Sequence, residues 1–475
     1  MAPPTVGSLS LDVGRKRSLP RLGRDGLVRA SAVVAVAAFF GLIAGLDPIL
    51  ALGLIVGLGV LALLLTNLTA GLMVFTVVAF LESLPSVSGA PSIAKIVGLF
   101  LVLGWAGAVG FSRSDGSSLD FAARFPALVW VLALFLTWVL VSLLWAEDVG
   151  VARQTFFRYA LNLVLFPIVF AAIREPRHVS WLYTVFIAGG LLGGFVGLQT
   201  VQSSDIPDER LSGAGLNPNE LGALLAVAAV LATCLAVSRS SSAGARLIAL
   251  AAALLSTLLV IMTESRGAML GLTAAVLVTP FAAGRGRRAA ALAVALAAAL
   301  SVAVWVTTAA PAQTRERLTQ PTSSGSGRVD LWTVGLRMVK DEPITGVGAG
   351  NFPVSSVHYL LQPGAIARDE FIVDHPKVTH NIYLQVLAEL GVIGLALFLA
   401  LIGTCLACVL RAARTFRRQG AATMELLSRG LFIALVALLV ADFFSSALYS
   451  KQLYLLLAMG PALLAMASPR RASTA

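Results

Sequence analysis

Two arginines and a histidine, far apart in the chain, have the chemistry best suited to a phosphorylated substrate. Arg266 stands in the polar tetrad Glu264-Ser265-Arg266-Gly267 between two apolar runs, and Arg328 opens Arg328-Val329-Asp330-Leu331-Trp332. A guanidinium is a planar fork that takes phosphate oxygens through two parallel hydrogen bonds, so two of them at one surface could clamp a diphosphate. His380 precedes Asn381 and an apolar stretch. Its imidazole titrates near neutrality and can take a proton from an attacking hydroxyl. Each has a plainer reading. Arg266 can snorkel to lipid phosphate, Arg328 can pair with Asp330 or water, and His358 and His375 are alternative bases.

Other polar residues fall in the same stretches. Arg210 precedes Leu211-Ser212-Gly213 and could meet an anionic lipid head, while Asn217 or Asn219 in Asn217-Pro218-Asn219-Glu220 reads as a helix cap. Asp374, His375 and His380 could together face a metal, but they lack the spacing of a three- or four-ligand zinc set, and no metal is expected. Gly346-x-Gly348-x-Gly350 follows no predicted strand and lacks the Gly-Lys-Ser/Thr ending of a phosphate loop, so it reads as a turn.

The elements that must position these groups are membrane helices. The chain has 475 residues, of which 58% are hydrophobic and 12% charged, against about a quarter charged in soluble domains. Apolar runs of about 17–22 residues recur throughout, each able to cross a hydrocarbon core of roughly 30 Å. Nothing alternates as barrel strands do, so the spans are helices that satisfy their own backbone. The fold expected is all-α, a polytopic transmembrane bundle of about twelve to fourteen spans. They are placed near 30–46, 49–66, 68–82, 93–111, 126–145, 155–173, 179–199, 219–238, 247–263, 267–283, 289–309, 388–410, 430–449 and 452–467.

The net charge of +11 sits in short clusters: Arg15-Lys16-Arg17, Arg174 with Arg177, Arg285 with Arg287-Arg288, Arg411 to Arg418, and Arg470-Arg471. The positive-inside rule puts all of these in the cytoplasm. No recognition fold or interleaved aromatics accompany them, so no nucleic acid is expected. The organisation predicted is a basic cytoplasmic tail over 1–29, entering a signal anchor, and transmembrane helices over 30–309. A large external region over 310–387 carries short helices, helices resume over 388–467, and 468–475 is a cytoplasmic tail. A reversal at Ser265-Arg266-Gly267 is needed to keep the later basic loops inside, and it leaves Arg266 at the outer interface. Ser323 to Gly327 reads as a hinge, and Val329 to Lys340 as an amphipathic interfacial helix ended by Asp341-Glu342-Pro343. Cys234, Cys405 and Cys408 lie in apolar spans, where the Cys-x-x-Cys reads as packing.

Taken together, these residues resemble the O-antigen ligase family and its related polysaccharide polymerases. The resemblance rests on Ser265-Arg266-Gly267, Arg328 ahead of Trp332, Pro343 with Gly346-Val347-Gly348, and Asn217-Pro218-Asn219. It rests above all on His380-Asn381 followed by Gly391-Val392-Ile393-Gly394, which is similar to the family's signature. It runs from about Arg210 to Ala400; earlier residues match only as spans.

The resemblance implies an inverting, metal-independent glycosyltransferase without cofactors, working at the outer face of a bacterial plasma membrane; the positive-inside rule places both termini in the cytoplasm. The donor would be a glycan on undecaprenyl diphosphate, and the acceptor a hydroxyl of a glycan, lipid or protein. By similarity, Arg266 and Arg328 would hold the diphosphate and His380 would activate the acceptor, with Arg210 and Asn381 as further substrate contacts. The rival expectation is a multi-span transporter of a small anion or glycan lipid, for which Asp442 within a span is the main argument.

Overall fold

The computed structural model describes residues 62–81, 92–111, 120–203, 210–213, 215–238, 242–282, 328–360 and 377–468, with positions 45, 57 and 59. The chain divides into Met1–Ala62 and Leu63–Ala475, and the elements below all belong to the second unit. The predicted spans at 30–46, 49–66 and 289–309, the Ser323–Gly327 hinge, and Asp374 with His375 lie largely or wholly outside the described residues.

Apart from a single bridge between Gly213 and Leu216, the regular structure in those residues is helical. In chain order the helices are α1 Leu68–Val78, α2 Ile93–Phe111, α3 Phe121–Arg124, α4 Pro126–Val141, α5 Val149–Leu163, α6 Leu165–Ala172, α7 Pro176–Ser203 and α8 Pro218–Val237. There follow α9 Ala243–Met262, α10 Arg266–Ala282, α11 Arg328–Asp341, α12 Phe352–Ser355, α13 Ile382–Arg418, α14 Ala422–Ala441 and α15 Lys451–Ala467. Among the described residues, eight stretches are long and apolar enough to cross a membrane, and three shorter apolar helices accompany them. This is an all-α multi-pass membrane protein.

The helix starts are written locally. Asn67, Asp120, Asp148, Asn217, Ser242 and Asn381 each accept a hydrogen bond from an N–H of the first turn they cap, satisfying donors that have no partner within the helix. Proline opens α4 and α8, where its missing N–H costs nothing.

Helices α8 and α15 are enclosed by the others along most of their length. The periphery is apolar too: Ile248 on α9, Trp130 on α4 and Phe281 on α10 are each more than two-thirds exposed. Such surface suits contact with lipid, as expected of a membrane bundle. In lipid, helices associate through close contact rather than water exclusion. Gly267-x-x-x-Gly271 on α10 supplies that contact, letting the helix lie against the Ala437 and Ala441 carbonyls of α14. Gly430 of α14 leaves room for Cys234, and Gly460 of α15 lies on the Cys405 carbonyl. Cys234, Cys405 and Cys408 are free and buried, as packing residues should be.

Contact register gives the direction of each helix. The start of α8 (Leu221, Leu225) packs on the end of α9 (Leu259, Val260), so these two run antiparallel. Gly222 faces Ser265 and Ala268, while Val230 packs beside Ala275 and Ala282, so α10 runs parallel to α8. The chain therefore reverses at residues 263–265. Helix α14 runs antiparallel to α10, since Gly267 meets Phe444 and Arg429 hydrogen-bonds the Ala282 carbonyl. One end of the bundle thus gathers the starts of α8 and α10 and the ends of α9 and α14.

Helix α13 is two helices in series. Gly391 has φ 66° and ψ −171°, so the α-helix stops there and resumes beyond it. Into the break the chain inserts 343–350: Val347 N–H donates to the Ala388 carbonyl, Gly348 N–H to the Glu389 carbonyl, and Val392 N–H to the Pro343 carbonyl. A Cβ at Gly391 would overlap the Ile344 carbonyl, and one at Gly346 would overlap the Glu389 backbone. Gly346, Gly348 and Gly350 all have positive φ, and the buried Glu389 carboxylate accepts from Gly350 N–H at 2.8 Å. The glycine run is therefore a wedge docked on a helix break.

Candidate active site

Arg266 is the first residue of α10 and Arg328 the first of α11. Both stand where a helix macrodipole is positive, a placement that favours anions and disfavours cations. A guanidinium held there is stabilised if an anion sits between it and the free helical N–H groups.

The turn that carries Arg266 is held from below. Glu264 has φ 49°, a left-handed conformation that non-glycine residues rarely adopt. Arg210 donates through Nε and Nη2 to the Thr263 carbonyl at 3.1 and 3.0 Å, and through Nη2 to Asn219 Oδ1 at 3.3 Å. Ser265 Oγ donates to the same Asn219 oxygen at 3.0 Å, and Asn217 caps α8 beside it. Thr263 and Ser265 are fully buried while Arg266 is exposed. Arg210 thus braces the turn from which Arg266 projects.

His380 is held as firmly. It too has positive φ, 50°. On one side Trp332 Nε1 donates to the Thr379 carbonyl at 2.8 Å. On the other, Asn381 Oδ1 accepts from Tyr383 and Leu384 N–H at 3.0 and 3.1 Å, capping α13. Thr379 Oγ1 ties the two flanks together through bonds to the Asn381 backbone. Strain of this kind, of order 1–3 kcal/mol, persists where the surroundings over-determine it, and such positions cluster at functional sites.

Helix α11 links the two clusters. Arg328 and Trp332 are one turn apart and share a helix face. The Trp332 ring lies edge-on to Phe443 at 5.8 Å and tilted to Phe444 at 6.3 Å, in the turn after α14. Two residues further on, Ser446 Oγ hydrogen-bonds His380 Nδ1. Gly267, next to Arg266, packs on Phe444. Arg266, Arg328, His380 and Arg210 therefore all lie at the bundle end formed by the starts of α8, α10 and α13.

The electrostatics follow this proximity. Burial, and then the charge of Arg266, hold the Arg328 guanidinium below the usual arginine range, still fully protonated at neutral pH. Burial, with Arg328 and Lys377 adding to it, pushes His380 down to about 4. The imidazole is neutral at pH 7 and carries a lone pair. His358, the alternative base, is instead paired with Glu147 at 2.8 Å.

Ser446, Lys377 and the Trp332–Thr379 bond were not legible as site features in the sequence. Ser446 falls in no motif, and only the packing of α14 against α10 brings it to His380. Asp442 is fully buried at the end of α14, beside the same cluster, and neither carboxylate oxygen has a hydrogen-bond partner among the described residues. Below the cluster, Tyr383, Val436, Leu439, Val440, Phe443 and Phe444 line an apolar cavity of about 370 Å³ between α13 and α14.

Residues 250–399 match the family model described as O-Antigen ligase. The matched stretch includes Arg266, Arg328, His380 and the Gly391 break. No curated protein matches the chain.

Proposed function

We propose, from the premise that the chain is a member of the O-antigen ligase-like family, that it transfers a glycan from an undecaprenyl diphosphate carrier to an acceptor hydroxyl at the outer face of the plasma membrane. The single observation carrying this reading is the gathering of Arg266, Arg328 and His380 at one end of the bundle, around the Phe443–Ser446 turn.

The two guanidiniums and the starts of α10 and α11 offer the diphosphate charge-assisted donors. The apolar cavity beside them suits the first isoprene units of the carrier. The neutral His380 serves as the base. In the tautomer where Nδ1–H donates to Ser446 Oγ, Nε2 keeps the lone pair and takes the acceptor proton. The acceptor oxygen bonds the anomeric carbon as the carbon–oxygen bond to the diphosphate breaks, with inversion. The electron pair leaves on undecaprenyl diphosphate, and the proton passes from His380 to solvent. Fixed arginines stabilise the departing charge without a metal. Arg210 and Asn381 act as positioning residues, through the turn at 263–265 and the cap of α13.

Purified protein given a lipid-diphosphate glycan and separate sugar, lipid and peptide acceptors tests this reading. His380→Gln is expected to lower turnover by about 10²–10⁴-fold, the usual worth of a general base. Transfer by that variant at the wild-type rate contradicts the assignment.

A further inference from the structure

The opposite end of the bundle holds a second basic site. Arg411, Arg414 and Arg418 lie on α13 at intervals of three and four residues, which puts them on one helix face. Arg124 joins them from the end of α3, and Phe125, Thr415, Leu464 and Ser468 complete a cavity of about 480 Å³. Arg411 stands 20 residues beyond the break at Gly391, or about 30 Å along a helix, the thickness of a hydrocarbon core. The cavity is therefore at the other membrane interface from His380.

Four guanidiniums facing one space repel each other, and among the described residues none of the four is in a salt bridge. The C-terminal dipole of α13 favours Arg417 and Arg418 in its last turn. It does not reach Arg411 and Arg414, and it says nothing of Arg124, which comes from another element. Phe125 and Leu464 give the cavity apolar walls beside its charged lining. A polyanion with an acyl portion satisfies both. Basic pockets between membrane helices bind anionic headgroups on that chemistry.

We propose that this cavity is a binding site for an anionic phospholipid headgroup in the leaflet opposite the glycan-transfer site. The phosphodiester is held by Arg124, Arg411, Arg414 and Arg418, and the glycerol and upper acyl carbons rest on Phe125 and Leu464.

The test is native mass spectrometry of the full-length chain in detergent with added cardiolipin, phosphatidylglycerol or phosphatidylethanolamine. Wild type is expected to retain one cardiolipin or phosphatidylglycerol and no phosphatidylethanolamine. In the triple variant Arg411→Gln, Arg414→Gln, Arg418→Gln, retention falls by about hundredfold. If that variant elutes as aggregate, the triple Arg→Lys variant and a salt titration of wild type decide. The lysine form keeps most retention, and salt weakens it by screening the headgroup charge. Equal retention of phosphatidylethanolamine, salt-independent retention, or a triple Gln variant that binds like wild type overturns the proposal. Displacement of the lipid by inorganic phosphate, beyond that caused by sodium chloride at equal ionic strength, also overturns it, because a soluble phosphate would then be the occupant.

Discussion

His380 is a weak base, since burial and two neighbouring cations oppose its protonation. A donor diphosphate neutralises the same cations, so its arrival raises the basicity of the imidazole. The proposed mechanism requires the neutral ring, so it predicts that activity is lost as pH falls through the imidazole pKa. The acid limb of kcat/KM, which reports the free enzyme, should therefore lie near 4, and that of kcat, which reports the loaded enzyme, at higher pH. Coincident limbs in a pH–rate series contradict this account. Ser446→Ala removes the group that selects the tautomer. It should lower kcat by about tenfold or more with KM little changed, and Ser446→Thr should restore most of it. Arg266→Lys keeps the charge but loses the fork, and is expected to raise the donor KM.

Among the elements, α13 shows both the reach and the limit of sequence reasoning. The two arginines and His380 stand out in the sequence because charged or titratable groups are scarce in so apolar a chain, and the structure brings them to one end of the bundle. Asn381, read there as a substrate contact, spends its side-chain oxygen on capping α13. The span predicted at 388–410 begins at Ile382 instead. Apolar periodicity runs through Gly391 unbroken, and the wedge that stops the helix comes from residues 343–350, some forty positions earlier. Long-range docking of that kind leaves no local signal except the glycines that permit it. The sequence places a reversal at Ser265-Arg266-Gly267, to keep the later basic loops on one side and Arg266 out of mid-bilayer; the chain turns slightly earlier, at residues 263–265, and Arg266 opens α10. Gly391→Ala should therefore destabilise the fold by about 2 kcal/mol or more, through positive φ and overlap with the Ile344 carbonyl. Thermal unfolding in detergent measures it, and an unchanged midpoint contradicts the wedge. Trp332→Phe keeps the ring contacts but deletes the bond to Thr379, and should cost about 1 kcal/mol together with turnover.

At the scale of the molecule, the bundle has a site end and a basic end. The sidedness we propose takes the positive-inside rule as its guide, with Arg411 to Arg418 in the cytoplasm and the His380 cluster outside. The native cysteines are buried, so single introduced thiols report cleanly. Lys377→Cys should react with an impermeant maleimide in intact cells, and Arg417→Cys only after the membrane is opened; the reverse pattern inverts the topology. The central claim is that Arg266 and Arg328, 62 positions apart in sequence, grip one diphosphate. Donor affinity measured for wild type, Arg266→Gln, Arg328→Gln and the double variant tests it most directly. Each single change should weaken binding by roughly 10–100-fold, the worth of a charged hydrogen bond, and the double change by less than the product of the two, because both touch the same ligand. Donor affinity equal to wild type in either single variant, or losses that simply multiply, would contradict a shared grip.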